Sequence, residues 1–399
     1  MRRKGPAEAG RQVRVRVLAL SPVPYEGAGC RFRIAHYIPY LATQGIDVTV
    51  APFYDRQFFK LVYDKRRLGR KGWLFFKQTA ARLATVARAG RYDAIWIYRE
   101  AFPIGPPVLE AMLHALRRPL LYDFDDAVFL PNTSEANRYV GALKYVRKIG
   151  RIISYCDEVI AGNEYLASYA RRFNASVHVI PTSVDTQLFV PRTDRPSSAV
   201  PVVGWIGTPT TAAYLLPLGP MLSALSAATD FTFRVSGAGA SLRASASARQ
   251  ALTIPGVRIE SPAWSLEREV ELFNTCDVGV YPLPDDDWAR GKCGFKAIQF
   301  MACGVPVVAS PVGVNREIIE DGVNGFLADA PAEWHAKLAR LLADSDLRRR
   351  IGAAARRTIE ERYSLDVNAP RVAGVMRRVV ERSRPAAAPL AAAAGDHRS

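Results

Sequence analysis

The sequence predicts an α/β protein built as two doubly wound, parallel-sheet domains in series, with a cleft between them. Three observations carry this expectation. At 399 residues the chain exceeds what one ordinary core serves and suits two domains of about 150–200 residues each. Short β-branched runs alternate with helical periodicity through both halves, the pattern of parallel strands joined by helical crossovers. Between the halves lies a run rich in Pro, Ser and charge, 190–201, which reads as a linker.

In the first half, strands are expected at 13–20, 47–51, 94–98, 119–124, 158–161 and 177–180, with helices between them such as 32–43 and 106–116. The second half restarts the pattern with strands at 202–206, 231–236, 257–259, 278–281 and 305–309, and helices near 211–227, 265–274, 294–302 and 331–342. The domains therefore read as 11–195 and 200–364. A further helical stretch, 365–384, is expected to pack back on the first domain, and the alanine-rich 385–399 reads as a disordered tail. In two such domains the carboxyl ends of both sheets face the cleft.

Five cysteines, Cys30, Cys156, Cys276, Cys293 and Cys303, are odd in number and lack C-x-x-C spacing, so neither a disulfide framework nor a zinc site is expected. Reduced thiols in the cytoplasm fit better. Arg14 and Arg16 interrupt the basic start before an apolar stretch forms, and no run of about 18 apolar residues follows. The expectation is a cytoplasmic protein without a signal peptide or membrane span. Net charge is +16, yet residues 1–199 hold 31 Lys and Arg against 17 Asp and Glu, while 200–365 hold 17 against 18. The basic field belongs to the first half. Its densest part, 56–91, sets eleven cations against Asp64 alone, interleaved with Phe58, Phe59, Tyr63, Trp73, Phe75 and Phe76. Such a stretch suits an anionic membrane surface, where cations meet head groups and rings enter the interface. A solvated helix pair with its aromatics in the core is the plainer alternative. No nucleic-acid motif accompanies the charge, so no nucleic-acid partner is expected.

Chemistry concentrates in 285–327. Phe295, Ile298 and Met301 give a core face to a helix whose first turn carries Lys292, Gly294 and Lys296, and two cations at the positive end of a helix suit a diphosphate. Gly304, the run 305–309, then Pro311 and Gly313 read as turn, strand and glycine loop, whose amides can approach a ligand closely. The run GWIGTPTT, 204–211, sets Gly207 and Thr208 at a strand end, where amides and hydroxyls can bind phosphate oxygens; a strand, a turn and a threonine N-cap is the alternative. At 122–127, YDFDDA closes a strand with Asp123, Asp125 and Asp126. Carboxylates this close repel by on the order of a kcal/mol unless cations or ligands compensate. Asp125 or Asp126 is thus a candidate base or electrostatic partner, with a helix cap, an ion pair to Arg99 or a metal site as alternatives. Strand alternation points Asp123 and Asp125 one way and Asp126 the other. The loop SPVPYEGAGCRFR, 21–33, brings Gly27, Gly29, Arg31 and Arg33 to the same rim.

The 285–327 passage resembles the donor-site signature of family 4 of the retaining glycosyltransferases. That pattern runs Glu-x7-Glu, Ala-Met-Ala-x-Gly-x-Pro-Val-Val-x-Ser, then a glycine loop and Glu-Ile-Ile; Met301, Ala302, Gly304, Pro306, Val307, Val308, Gly313, Glu317, Ile318 and Gly325 match it. Weaker likeness at 157–159 and at Ile180, Pro181, Val184, Asp185 and Phe189 extends it over about residues 13–382. There are two departures. The family's glutamates fall at Gly291 and Gln299, and the Arg and Lys that the family tends to place after the first strand of the second half are missing, so Lys292 and Lys296 are expected to replace them.

The resemblance implies the GT-B architecture, two Rossmann-like domains with 11–195 on the acceptor side and 200–364 on the nucleotide-sugar side. It implies transfer of a sugar from a nucleoside-diphosphate sugar to a hydroxyl acceptor, with retention at the anomeric carbon. Gly207, Thr208, Lys292, Lys296, Gln299, Gly313, Val314, Asn315 and Glu317 are expected to bind the donor. Gly27, Gly29, Arg31, Arg33 and Arg99 are expected to form an acceptor or phosphate loop, and Asp125 and Asp126 to act in catalysis. No metal or other cofactor is expected. The acceptor is expected among glycans, lipid-linked molecules and small molecules, and the 56–91 stretch would hold the protein to the inner face of the membrane. A catalytically silent nucleotide-sugar-binding or scaffold protein of the same fold is the alternative. A dinucleotide-dependent oxidoreductase is disfavoured, because no G-x-G-x-x-G follows the first strand.

Overall fold

A computed structural model describes residues 14–62, 67–131, 145–192, 200–237 and 253–382. The first half supplies β1 (Val15–Ser21), β2 (Ile46–Pro52), β3 (Ala94–Tyr98), β4 (Leu120–Phe124), β5 (Glu158–Ala161) and β6 (Val177–Val179). The second supplies β7 (Val202–Ile206), β8 (Thr232–Ser236), β9 (Arg258–Glu260), β10 (Val278–Tyr281), β11 (Val307–Ala309) and β12 (Phe326–Leu327). They form two six-stranded sheets, ordered β2-β1-β3-β4-β5-β6 and β12-β11-β10-β7-β8-β9, with every strand pair parallel. Strands covered on both faces read as continuous apolar runs, and β3 and β4 are buried at every residue. In each sheet the strand order reverses once, between β1 and β3 and between β7 and β10. Those are the points outside which ligands of doubly wound sheets bind.

Several expected helices are broken, for a local reason. The stretch 32–43 divides into a helix at Ala28–Arg33, a 3-10 turn at Ala35–Tyr37 and a helix at Ile38–Thr43. Pro39 has no amide hydrogen to continue the ladder. Likewise 211–227 becomes a 3-10 turn, Ala212–Leu218, containing Pro217, followed by a helix at Gly219–Ser226. The helix Leu365–Arg382 returns to the first sheet, where Val372, Met376 and Val379 share a core with Val17, Trp96 and Tyr98. The chain passes between the sheets along paired segments, Val184 N–H donating to Tyr363 O at 2.9 Å and Leu365 N–H to Val184 O at 3.0 Å. Part of the expected linker, 193–199, and the tail 385–399 lie outside the described residues.

Candidate active site

On the first sheet, the end of β3 sets the geometry. Arg99 has φ of 60°, a left-handed conformation uncommon without glycine. Two bonds hold it there: its N–H donates to Asp123 O at 2.8 Å, and its own carbonyl accepts from Tyr122 Oη at 2.8 Å. The guanidinium is thereby turned onto the aspartates, Nε and Nη2 reaching Asp125 Oδ1 at 2.9 and 2.6 Å, while Nη2 also meets Asp126 Oδ2. Tyr98 Oη donates to the same Asp125 oxygen at 2.7 Å. The expected alternation of the three aspartates does not hold, because β4 ends at Phe124 and both following residues turn together onto Arg99. Asp123 instead points inward, where Arg33 Nε and Nη2 donate to it at 3.0 and 2.6 Å and Trp96 Nε1 at 3.3 Å.

The shared arginine splits the pair. Burial works to raise Asp125, but Arg99 and then Arg33 overrule it and hold the carboxyl below its ordinary range. Burial raises Asp126 against the attraction of Arg99, with Asp125 adding to the rise and Lys292 opposing it. Neighbouring carboxyls whose environments drive them apart are suited to different roles, one fixed as an anion and one able to carry a proton. Asp126 is also the more open, 26% exposed against 14% for Asp125.

Of the acceptor or phosphate loop expected from Gly27, Gly29, Arg31, Arg33 and Arg99, the structure turns Arg31 and Arg33 inward and Arg99 onto the aspartates. Arg31 is buried, with Nη2 donating to Glu269 of the second half at 2.8 Å, and Arg33 is taken up by Asp123. Gly29 is required by packing, since a Cβ there would lie 2.2 Å from Tyr98 Oη, and a Cβ on Gly27 would lie 2.8 Å from Val23 Cγ2. The arginines are internal struts whose partners lie far away in sequence.

The second half meets this rim directly. After β10, Asp286 caps the short helix Asp287–Arg290 by accepting from Ala289 N–H at 2.7 Å, and 291–293 then seat on the first half. Asn163 Nδ2 donates to the carbonyls of Gly291 and Lys292 at 3.2 and 3.0 Å, and Cys293 Sγ donates to Asp125 O at 3.2 Å. A Cβ on Gly291 would stand 2.6 Å from Ala127 Cβ, so the glycine that replaces the family's first glutamate allows a direct contact between halves.

The two lysines part company. Lys292 Nζ lies 6.0 Å from the Tyr214 ring centre and 5.9 Å from that of Trp288, acts on Asp126, and forms no ion pair among the described residues. Lys296 Nζ donates to Gln299 Oε1 at 2.7 Å and sits 5.3 Å from the Phe273 ring. Burial holds it down to about 8, with Glu269 opposing and Arg31 assisting. Expected to hold one diphosphate together, the two lysines thus lie in different surroundings. Gln299 is fully buried and its Nε2 has no hydrogen-bond partner among the described residues.

Gly313 takes φ of 52° and passes close to Arg290, whose carbonyl oxygen would lie 2.8 Å from a Cβ. Asn315, expected to face the donor, is fully buried and ties its loop through Nδ2 to Ser310 O at 3.0 Å. Val314 and Glu317, with Gly313, do line a cleft of about 280 Å³, together with Arg290, Arg316, Asn163 and Tyr165. Gly207 and Thr208 follow the end of β7 and do not line that cleft, the Thr208 N–H donating to Thr211 Oγ1 at 3.0 Å. Sequence reasoning missed Asn163, Tyr165, Tyr214, Trp288 and Arg290. Asn163 alone carried a signal, a helix-capping residue directly after a strand, and it does accept from Leu166 N–H at 2.9 Å.

Comparison with known proteins places this geometry. Residues 29–188 match the family described as Glycosyltransferase Family 4, and residues 201–344 match Glycosyl transferases group 1. A D-inositol 3-phosphate glycosyltransferase of Xylanimonas cellulosilytica is 29% identical over 265 residues, 59% of this chain and 62% of that protein. One of the same name from Thermobispora bispora is 34% identical over 128 residues, 32% of this chain and 28% of that protein. The chain thus spans less than two thirds of these relatives. Among solved structures, the sucrose-phosphate synthase of Thermosynechococcus elongatus superposes with a TM-score of 0.64 at 17% identity, covering 92% of this chain and all (100%) of that one. Anabaena HepE, solved in complex with UDP and glucose, gives 0.66 at 18% identity, covering 91% and 100%. With both halves matched and the two sheets arranged as in these neighbours, the chain belongs to the group 1, family 4 glycosyltransferases of GT-B fold.

Proposed function

We propose that the protein transfers a glycosyl group from a nucleoside-diphosphate sugar to a hydroxyl acceptor, with retention at the anomeric carbon. The observation that carries this reading is Lys292, a cation with no ion pair among the described residues, lying over the rings of Tyr214 and Trp288 and acting on Asp126 of the first half. In this reading Lys292 and the amides of the 207–211 and 313–315 loops take up the charge of the departing diphosphate. Asp126 accepts the acceptor's proton, while Asp125, fixed by Tyr98 and Arg99, positions it. The scheme needs no metal, since Lys292 and backbone amides serve as the electrophile. The names of the relatives, and the UDP and UDP-glucose bound by HepE, support a nucleotide sugar as donor. We also infer a peripheral position at an anionic membrane for the 56–91 stretch. No helix among the described residues is long and apolar enough to cross a membrane.

Incubating the purified chain with a panel of nucleoside-diphosphate sugars and measuring nucleotide release tests the reading. Release from at least one donor, stimulated by hydroxyl acceptors, is expected. Folded protein that releases none, while nucleoside diphosphates still raise its melting temperature, would leave the silent binding protein as the answer.

A further inference from the structure

After β2 the chain forms two helices, Arg56–Leu61 and Leu68–Ala87, locked to one another by side chains. Asp55 caps the first through Phe58 N–H at 2.7 Å and accepts from Gln78 Nε2 of the second at 2.5 Å, and Lys71 Nζ donates to Val62 O at 2.9 Å. Between them opens a hollow of about 550 Å³ lined by Arg56, Gln57, Lys60, Leu61, Arg67 and Arg70. Four of these described lining residues are cations, and of the four Lys60 and Arg70 project from exposed positions. Arg56, at its edge, pairs with Glu26 at 3.0 Å and acts on Glu267 of the second half.

The longer helix has two apolar faces. Leu74 and Val86 are buried, and Phe75 packs on Phe53 and Phe102. On the outside Leu68, Trp73, Phe76 and Leu83 are 72, 64, 67 and 49% exposed, and Trp73 stacks on Phe76 with ring centres 6.3 Å apart. The core accounts for the inner face only. An outer apolar row beside a cluster of cations matches the layering of an anionic bilayer, charge at the head groups and rings at the acyl boundary.

We propose that the hollow is a phosphate site for the head group of an anionic lipid, filled when the Leu68, Trp73, Phe76 and Leu83 row enters the bilayer interface. This rests on the peripheral reading of 56–91 and adds a defined seat to it.

Sedimentation of the full chain with phosphatidylcholine vesicles, with and without phosphatidylglycerol, tests it. Binding should require phosphatidylglycerol and fall with salt. Lys60→Ala and Arg70→Ala, both at exposed positions, should each weaken it by about fivefold, while Lys60→Arg keeps it and all three retain the wild-type melting temperature. Soluble glycerol phosphate, which brings no interface, should not displace the protein. Binding unaffected by Lys60→Ala and Arg70→Ala but abolished by Trp73→Ser with Phe76→Ser would overturn the hollow and leave the peripheral reading standing. Equal sedimentation with neutral and anionic vesicles would overturn both. Displacement by glycerol phosphate would assign the hollow to a soluble phosphate and overturn the lipid seat.

Discussion

Restoring the family's glutamate at position 291 should harm the protein rather than activate it. A Cβ at Gly291 would lie 2.6 Å from Ala127 Cβ, 3.1 Å from Ala127 N and 3.3 Å from its Cα. Backbone cannot swing aside as a side-chain tip can, so the two halves must separate locally. The same segment carries the Asn163 bonds at 3.2 and 3.0 Å and the Cys293 bond at 3.2 Å. Overpacking costs about 1–3 kcal/mol, which for domains of this size is a fall of roughly 2–12 °C in melting temperature. Gly291→Ala should show this fall, and Ala127→Gly in that background should restore part of it by removing the nearest atom. Gly291→Glu should also lower kcat/KM by on the order of 10²-fold, because it displaces Lys292 next door and misplacement by about an ångström has that scale. Thermal melts and steady-state donor turnover are the assays. Gly291→Glu with an unchanged melting temperature and a higher kcat/KM would refute the packing argument.

Two further outcomes follow from the charges. Asp126→Asn should cut kcat by about 10²-fold with a near-native melting temperature, whereas Asp125→Asn, which weakens the acceptor for Tyr98 and Arg99, should appear first as lost stability in the same melts. Lys296 titrates near 8 when folded against 10.5 for a free lysine, so between those values the unfolded chain holds a proton the folded one has released. Stability should therefore rise as pH climbs from about 8 to 10.5, and urea midpoints of Lys296→Met should lose that rise.

The fold was legible because its signal is local. Runs such as those of β3 and β4 are apolar throughout, and each crossover helix carries its own periodicity, so eleven of the twelve described strands were visible; β12, only two residues long, was not. Pro39 and Pro217 were equally visible, and the breaks they cause were missed only by reading periodicity past them. Within one continuous stretch the sequence could group residues that do line one cleft, Gly313, Val314 and Glu317, and it was obscure where a side chain depends on distant partners. Arg31 and Arg33 look like phosphate ligands until Glu269 and Asp123 are placed beside them, 238 and 90 residues away in sequence. Gly291 looks like a lost catalytic residue until Ala127 fills the space. Pairwise packing across two sheets is not written in either segment alone.

The central claim is that the nucleotide's diphosphate is held at Lys292 between the two halves. Calorimetric titration of nucleoside diphosphates into the wild type, Lys292→Ala and Lys292→Arg tests it most directly. The account predicts that at least one diphosphate binds the wild type, that Lys292→Ala weakens it by about 10–10²-fold, the scale of one charge-assisted hydrogen bond, and that Lys292→Arg recovers much of the loss. A diphosphate that binds Lys292→Ala as tightly as the wild type would contradict it.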